Sequence, residues 1–260
     1  MGGEDVKLPA GLDWIAWLER WERMQELHLP EREKRFKAML EVVEAAVGRP
    51  GRVVDLGCGP GSLMARIAGR WAHAEIVGTD LDGRLLALAR ASLGRLGSRV
   101  RLVRADLRTP GWGASVGGKA DAIVSATSLH WLAEEELAGV YRVALELLAP
   151  GGVFLNADHV GSRIPGVQAC WEAARAEAAS AAAAEGAEDW GQFWAGLNEA
   201  FGIDGGEHTQ RVFGPWRGIE EGLPLCWHAR QMEAAGFEGF DCYWRGWGDA
   251  VYGAFRPAGR

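Results

Sequence analysis

The sequence contains few cysteines, and they form no recognisable pattern. Four cysteines are spread over 260 residues, and no two of them stand in a Cys-x-x-Cys spacing. Neither a disulfide framework nor a zinc site is therefore indicated, and a reducing, cytoplasmic environment is expected. The pair Cys226 and His228 is too short and isolated to predict a metal site.

The chain also lacks an excess of basic residues. It has 28 lysines and arginines against 35 aspartates and glutamates, a formal net charge of −7 at pH 7. Because nucleic-acid binding depends on a basic surface that neutralises phosphates, a nucleic acid is not the expected partner. A small molecule fits this charge better.

Long apolar runs and internal repeats are missing as well. No segment reaches the length of a membrane span, and the first residues lack the basic start and apolar run of a signal peptide. We therefore expect a soluble protein that does not bind a membrane. The 48% of hydrophobic residues suffices for one large α/β domain with an added element. Nothing in the sequence specifies an oligomeric state.

What the chain does have is a glycine-rich stretch at residues 53–63, with the sequence VVDLGCGPGSL. A β-branched run enters it and a periodic apolar segment leaves it, which predicts a strand, a tight turn and a helix. Gly57, Gly59 and Gly61 permit positive φ angles and the close approach of a ligand, while the start of the helix offers free N–H groups. The stretch therefore predicts a nucleotide-binding turn.

Asp55 distinguishes this turn from that of a dinucleotide-binding fold. The glycine spacing is G-x-G-x-G rather than G-x-G-x-x-G. A carboxylate is unfavourable beside a pyrophosphate but favourable beside an ammonium or sulfonium group. A nicotinamide-dependent oxidoreductase is therefore disfavoured. The stretch closely resembles the glycine-rich motif of class I S-adenosylmethionine-dependent methyltransferases.

Carboxylates also follow two later predicted strands. Asp80 ends the second strand, where open α/β sheets use a carboxylate to accept hydrogen bonds from ribose hydroxyls. The alternative, that Asp80 caps the following helix, is weaker because Asp82 fits that cap better. Asp106 follows the third strand, and the resemblance implies that it takes the adenine amino group while the backbone N–H of Leu107 reaches a ring nitrogen.

Two further motifs are similar to the same family. Residues 125–132 read SATSLHWL before a predicted helix, and residues 148–154 read LAPGGVF before a predicted strand. With the glycine turn, these motifs extend the resemblance over residues 50–160. It implies an α/β fold with a doubly wound, mostly parallel, seven-stranded Rossmann-like methyltransferase sheet, and S-adenosylmethionine as the cofactor.

The resemblance also implies a set of cofactor-binding residues. Gly57 and Gly59 are expected at the methionine part, and a carbonyl of Ser125 or Ala126 at its ammonium group. Arg32 stands in a segment similar to trans-aconitate-methyltransferase-like enzymes, where an arginine approaches the methionine carboxylate; a solvated basic helix face is the alternative. The full predicted set is Arg32, Asp55, Gly57, Cys58, Gly59, Gly61, Asp80, Leu81, Asp106, Leu107, Ser125 and Ala126.

Methyl transfer asks the enzyme mainly to hold the acceptor and to take up a proton where there is one. The candidate bases are His130 and His159, which lie just past the fourth and fifth predicted strands. For both histidines, capping and packing are the alternative. The residues predicted to line the acceptor are Trp21, Trp131, His208 and His228, with packing as the alternative for the last two.

Tryptophan is unevenly distributed along the chain. Only Trp71, Trp112 and Trp131, of 13 tryptophans, lie within residues 51–160. Residues 1–50 and 161–225 are predicted to form a helical cap on the core of residues 51–160, and residues 226–260 to complete the sheet with an antiparallel hairpin. An aromatic-rich cap suggests an apolar or aromatic acceptor.

The predicted function is methyl transfer from S-adenosylmethionine to an O or N atom of a small organic acceptor. The acceptor is expected to be a molecule of secondary metabolism. One alternative is a methyltransferase of RNA or protein, which the net charge disfavours. Another is a fold relative that uses the same cofactor for a non-methylating step such as a cyclisation, which the sequence leaves open because the binding motifs would be the same.

Overall fold

The computed structural model describes residues 6–29, 31–184, 186, 188–215 and 217–259. Trp216, one of the tryptophans of the predicted cap, lies outside the described residues. No helix of the described part combines the length and the apolarity needed to cross a bilayer.

A seven-stranded sheet forms the centre of the described chain. Its strands are β1 (Arg52–Leu56), β2 (Glu75–Asp80), β3 (Val100–Arg104), β4 (Ala120–Ala126), β5 (Leu148–His159), β6 (Glu238–Gly246) and β7 (Asp249–Phe255). The order is β3-β2-β1-β4-β5-β7-β6. Strands β1 to β5 pair in parallel, and β7 runs antiparallel to both β5 and β6. The predicted mostly parallel, doubly wound sheet and its C-terminal hairpin are confirmed.

Helices cover the two faces and the carboxyl edge of this sheet. They are α1 (Trp14–His28), α2 (Arg32–Val47), α3 (Ser62–Arg70), α4 (Gly83–Leu93), α5 (Trp112–Val116), α6 (Glu134–Leu147), α7 (Pro165–Ala184), α8 (Trp190–Ala200), α9 (Gly205–Val212) and α10 (Leu225–Ala235). Asp82 caps α4 as expected, because its side chain accepts a hydrogen bond from the backbone N–H of Arg84 at 2.8 Å.

The alternation of side chains along the strands places apolar residues on both faces. Val53 and Ile76 belong to a core cluster with α2 and α3, whereas their neighbours Val54 and Val77 belong to a second cluster with α5, α6 and α10. All four are fully buried. A parallel sheet buried on both sides accounts for the nearly continuous apolar runs in the sequence.

A third apolar cluster joins helices that are distant in sequence. It contains Trp17, Trp21 and Met24 of α1, Leu85 and Leu88 of α4, and Phe193 and Leu197 of α8. The rings of Trp21 and Phe193 lie 5.4 Å apart in an edge-to-face arrangement. Helices α1 and α8 therefore pack together on α4, beside the carboxyl ends of β1 and β2. We call α1, α8 and α9 the cap helices.

Candidate active site

A cavity of about 510 Å³ lies at the carboxyl ends of the parallel strands. In this order of strands the direction of winding reverses between β1 and β4, which is the place where open α/β sheets bind ligands. Its volume falls within the range of roughly 300–1,000 Å³ that small-molecule sites occupy. Loops of the sheet line one side, and the cap helices with residues 213–215 and 217 line the other.

The glycine turn after β1 forms the floor of the cavity. Gly57 has a φ of 67° and Gly59 a φ of 55°, a region that favours glycine. A Cβ on residue 57 would lie 2.5 Å from the Cβ of Ser128, so only glycine fits there. Gly61 has a φ of 92° and precedes α3, where it packs against Leu93 and does not line the cavity.

Asp55 lies at the end of β1 and lines the cavity with Cys58. Its side chain is 1% exposed, and its Oδ2 atom has no hydrogen-bond partner among the described residues. Burial and the neighbouring Asp80 carboxylate raise the pKa of Asp55 well above its usual range. A cationic ligand group would give Oδ2 the partner that the described residues do not provide. Burial also raises the pKa of the Cys58 thiol.

Asp80 joins the end of β2 to the glycine turn. Its Oδ2 accepts a hydrogen bond from the N–H of Gly59 at 2.8 Å, and its Oδ1 accepts one from the N–H of Asp82 at 2.8 Å. Burial raises the pKa of Asp80 to about 6, although these backbone hydrogen bonds act in the opposite direction. Asp80, which the sequence predicts to bind the ribose, and Leu81 both line the cavity.

Asp106 lies after β3 and is already paired with an arginine. Its carboxylate accepts hydrogen bonds from Nε and Nη2 of Arg108, both at 2.8 Å. Burial raises the pKa of Asp106, but the hydrogen bonds from Arg108 outweigh this effect and the net pKa is lowered. Arg108 also donates to the carbonyls of Val212 and Phe213 at the end of α9. Asp106, Leu107 and Arg108 line the cavity together.

Two buried donors that have no partner among the described residues lie on the α1 and α2 side. Arg32 is 4% exposed and donates from Nη1 to Glu22 at 2.7 Å, while its Nε has no partner among the described residues. The indole N–H of Trp21 also has none there. Both residues line the cavity, and the Trp21 ring would lie 3.4 Å from a Cβ on residue 59. They are placed to receive an anionic ligand group near the glycine turn.

Tryptophans form the wall opposite the strand ends. Trp131 and Trp190 lie with their ring centroids 6.4 Å apart and nearly parallel, at 25°. Trp190 lies 6.1 Å from Trp21 and 5.6 Å from Trp194. All four line the cavity with Phe213. The cavity is thus polar at the sheet and aromatic at the cap.

The two predicted bases lie beside this cavity but do not line it. Nδ1 of His130 is 2.7 Å from Oδ1 of Asp158, and Nδ1 of His159 is 2.6 Å from Oδ1 of Asp249. The two imidazole rings are 4.9 Å apart. They line a separate small cavity of about 10 Å³, close to the roughly 10–15 Å³ that one water requires. Leu132 contributes to both cavities.

The remaining predicted residues divide between cavity and core. Ala126 lines the main cavity, whereas Ser125 is buried and donates to the carbonyl of Leu56 at 2.7 Å. His228 is buried, with Nδ1 2.7 Å from the hydroxyl of Tyr141, and burial lowers its pKa to about 4. His208 is buried with Nε2 3.6 Å from Asp82. Neither histidine is among the residues that line the main cavity.

Several lining residues were absent from the sequence-based prediction. They include Gln25, Phe36, Ser62, Arg84, Thr127, Ser128, Trp190, Trp194 and Asn198. Trp190 and Trp194 are four residues apart on a helix, a spacing that predicts a shared face. No sequence signal marked Ser128, because its place follows from the contact between two loops.

A family comparison agrees with this arrangement. Residues 53–152 match the model of a methyltransferase domain, which begins in β1 and ends within β5. Residues 53–152 are a class I methyltransferase domain. The family predicted from the glycine turn and the two later motifs is confirmed, and with it S-adenosylmethionine as the cofactor of the family.

Curated relatives of this domain include two bacterial trans-aconitate 2-methyltransferases. The protein from Streptomyces avermitilis is 37% identical over 120 residues, which cover 45% of this chain and 43% of the relative. The protein from Variovorax paradoxus is 36% identical over 143 residues, which cover 55% of this chain and 48% of the relative. The chain thus spans less than half the length of these relatives.

Solved structures extend the likeness of the fold to most of the chain. An O-methyltransferase family protein from Burkholderia thailandensis gives a TM-score of 0.59 at 19% identity, covering 95% of this chain and 70% of that one. Human N-acetylserotonin methyltransferase in complex with S-adenosylmethionine gives a TM-score of 0.56 at 15% identity, covering 96% of this chain and 60% of that one. At these identities the comparison establishes the fold.

The cavity of the methyltransferase domain has the groups that its cofactor requires. The buried, unpartnered oxygen of Asp55 suits an ammonium or sulfonium, and the unpartnered Nε of Arg32 suits a carboxylate. Residue 57 has no room for a side chain, so the backbone itself forms that part of the floor. The described residues therefore fit S-adenosylmethionine.

Proposed function

We propose that this chain transfers a methyl group from S-adenosylmethionine to an O or N atom of a small, uncharged aromatic or apolar molecule. The observation that carries the proposal is a single cavity with carboxylates at the strand ends and tryptophans at the cap helices. The first half suits the cofactor, and the second suits a flat apolar acceptor.

In this proposal each strand end binds a different part of the cofactor. The carboxylate of Asp80 accepts hydrogen bonds from the ribose hydroxyls, and Asp55 neutralises the methionine ammonium. Arg32 binds the methionine carboxylate, and Asp106 with the N–H of Leu107 binds the adenine. When bound, the cofactor supplies an electrophilic methyl group on a sulfonium. The protein's part is to hold the acceptor in line with that methyl and to exclude water.

The charges of the cavity argue against a polycarboxylate as the acceptor. Its lining contains four arginines, and each has a protein carboxylate at 2.6–2.8 Å: Arg32 with Glu22, Arg84 with Asp82, Arg108 with Asp106, and Arg217 with Glu136. A polycarboxylate would have to compete with these partners, and displacing buried Asp82 from Arg84 would leave a buried acid unpaired, which is costly. We therefore propose an acceptor different in charge from the trans-aconitate that the names of the relatives specify.

The aromatic wall supports a flat acceptor. Trp131 and Trp190 are nearly parallel, and Trp194 meets Trp190 edge-on at 67°. Such rings offer a large apolar contact area at little cost in side-chain entropy. A phenol or an aromatic amine would present one polar atom to the strand ends and its ring to these tryptophans.

The test is an acceptor screen with methyl-deuterated S-adenosylmethionine. A panel of phenols and aromatic amines, trans-aconitate, a short RNA and a protein mixture are incubated with the full chain. We expect S-adenosylhomocysteine release together with a deuteromethyl mass increase on a phenol or an aromatic amine. Labelling of trans-aconitate, RNA or protein instead would contradict the proposed acceptor class.

The matched control for this screen is Trp190→Ala. Because the substitution removes an aromatic ring at the cap but no group at the strand ends, we expect product formation to fall while S-adenosylhomocysteine still binds. A non-methylating reaction would transform an acceptor without S-adenosylhomocysteine release, so the same assay separates the two activities. A cytoplasmic location and a place in secondary metabolism remain predictions.

A further inference from the structure

Asp158 is the centre of the polar contacts around the two histidines. Its Oδ2 accepts hydrogen bonds from the backbone N–H groups of Leu129 and His130, at 3.0 and 3.1 Å. Its Oδ1 accepts one from the N–H of His159 at 2.9 Å and lies 2.7 Å from Nδ1 of His130. The side chain is 1% exposed. This buried carboxylate therefore fixes both the loop after β4 and the imidazole that the loop carries.

The contact with Asp158 determines which nitrogen of His130 carries the proton. Although burial raises the pKa of Asp158, its interactions with His130 and His159 outweigh burial, and the pKa lies below its usual range. An ionised carboxylate can only accept hydrogen bonds, so Nδ1 of His130 must donate. In the neutral ring, Nε2 then carries the lone pair.

The two histidines differ in how close they are to the main cavity. His130 stands between residues of the same loop that line that cavity, namely Thr127 and Ser128 before it and Trp131 and Leu132 after it. The neighbours of His159 in the sequence do not line it. The carboxylate partner of His159, Asp249, also lies 3.6 Å from the buried guanidinium of Arg35. The Asp249 carboxylate therefore interacts with Arg35 as well as with His159.

We propose that Asp158 is a positioning residue that keeps Nδ1 of His130 protonated and thereby makes Nε2 of His130 the proton acceptor of the reaction. This inference rests on the proposed function. The acceptor hydroxyl or amine loses its proton to Nε2 through one water of the small cavity. Its lone pair forms the bond to the methyl carbon as the carbon–sulfur bond breaks. The resulting imidazolium is neutralised by the Asp158 carboxylate.

The variant Asp158→Asn tests the positioning step without an acceptor. An asparagine must put its NH2 group where one of the two carboxylate oxygens was. Opposite Oδ2 it would meet two backbone N–H groups, whereas opposite Oδ1 it would meet one N–H and an imidazole whose tautomer can change. We therefore expect the NH2 at the Oδ1 position, facing Nδ1 of His130.

Nuclear magnetic resonance of the full chain with ¹⁵N-labelled histidine reads this tautomer. We expect protonated Nδ1 at His130 in the unmodified chain with S-adenosylhomocysteine bound, and protonated Nε2 in Asp158→Asn. The comparator Asp249→Asn removes the carboxylate partner of His159 and should leave the His130 signals in place. An unmodified chain with protonated Nε2 at His130, or no change in Asp158→Asn, would overturn the proposal.

Turnover of a phenol or aromatic amine from the screen tests the chemical step. Because general base catalysis contributes roughly 10²–10⁴-fold, we expect kcat to fall by about 10²-fold in Asp158→Asn with KM and S-adenosylhomocysteine affinity little changed. Asp249→Asn should lose less than about threefold.

A double variant shows whether Asp158 acts through His130. In His130→Gln the asparagine substitution should cause no further loss of kcat, because the base that it positions is already gone. Independent, additive losses would overturn the proposal, as would equal losses in Asp158→Asn and Asp249→Asn.

Thermal unfolding and S-adenosylhomocysteine affinity identify a variant that has failed to fold. If Asp158→Asn does not fold, the tautomer of His130 in the unmodified chain and the loss of kcat in His130→Gln decide whether Nε2 of His130 is the proton acceptor. If no phenol or amine is methylated, the proposed function fails, and the resonance measurement still decides the positioning of His130.

Discussion

Gly57 and Ser128 touch across the point where the sheet reverses its winding. A Cβ added to residue 57 would lie 2.5 Å from the Cβ of Ser128, an atom that cannot move without its backbone. The glycine turn after β1 and the loop after β4 therefore fit together only when residue 57 lacks a side chain. Thr127, with a φ of 51°, completes this loop.

We expect Gly57→Ala to lower the free energy of unfolding by about 2–4 kcal/mol, because left-handed strain and overpacking add. It should also abolish measurable S-adenosylhomocysteine binding. Urea unfolding and calorimetry check both effects. Gly69→Ala is the matched control: residue 69 is exposed on α3 with open space around it, so alanine should stabilise the helix by up to about 1 kcal/mol. A Gly57→Ala protein that binds normally would contradict the close contact with Ser128.

The pKa of Asp80 predicts how cofactor binding depends on pH. With a pKa of about 6, the carboxyl is increasingly protonated as the pH falls below this value. Ribose hydroxyls donate to the ionised form, so we expect S-adenosylhomocysteine affinity to rise as the pH passes 6 and to be about tenfold weaker at about pH 5 than at about pH 8. Calorimetry across this range measures it, and in Asp80→Asn the part of the dependence that is centred on pH 6 should be lost.

The sign is opposite for the stability of the ligand-free protein. The folded pKa of Asp80 is raised above the ordinary value of 3.8, so its contribution is fully present below 3.8 and is lost as the pH rises through 6. The difference in unfolding free energy between the unmodified chain and Asp80→Asn should therefore decrease over this window. A difference that stays constant over this pH window would show that the pKa of Asp80 is not raised in the folded protein.

A substitution of Arg32 should affect the binding of two cofactor-related ligands differently. We expect Arg32→Gln to weaken S-adenosylhomocysteine binding by about tenfold or more, since a charge-assisted hydrogen bond contributes about 1.5–3 kcal/mol. Binding of 5′-methylthioadenosine, which has no methionine carboxylate, should be unchanged. Glu22 keeps Arg66 at 3.0 Å in this variant, so it is not left without a cation. Equal weakening of both ligands would place Arg32 away from the carboxylate.

Arg108 should hold α9 against the core. It links Asp106 to the carbonyls of Val212 and Phe213. Without these charge-assisted bonds, we expect the amides of residues 205–212 in Arg108→Ala to exchange hydrogen about tenfold faster. Arg95→Ala, which removes an exposed arginine, is the control and should leave this rate unchanged. If both variants exchange alike, Arg108 does not anchor the helix.

Local pattern was sufficient to predict the core of the fold. Val53 and Val54 are apolar on both faces of a strand, and the glycines after them permit one type of turn, so strand, turn and helix followed from adjacent residues. The C-terminal hairpin could be predicted in the same way around Gly246 and Gly248. The carboxylate positions Asp80 and Asp106 followed because the carboxyl ends of parallel strands share one edge.

The acceptor side could not be predicted in the same way. Trp190 and Ser128 reach the cavity through contacts between segments far apart in the sequence, which periodicity does not report. His228 was predicted to line the acceptor. Its side chain is instead buried, with Nδ1 2.7 Å from the hydroxyl of Tyr141, and does not line the main cavity. Asp158 belongs to no motif of the sequence, and only the geometry relates it to His130.

The groups placed for the cofactor and much of the aromatic wall fall on different parts of the chain. The groups placed for the cofactor lie mainly on the loops of the sheet, whereas much of the aromatic wall belongs to two helices that rest on α4 from outside. If the proposed function holds, substitutions on α8 alter which molecule is accepted while the cofactor half keeps its shape. For engineering, α8 is the surface to randomise when a new acceptor is sought, whereas α1 also carries Glu22, the partner of Arg32.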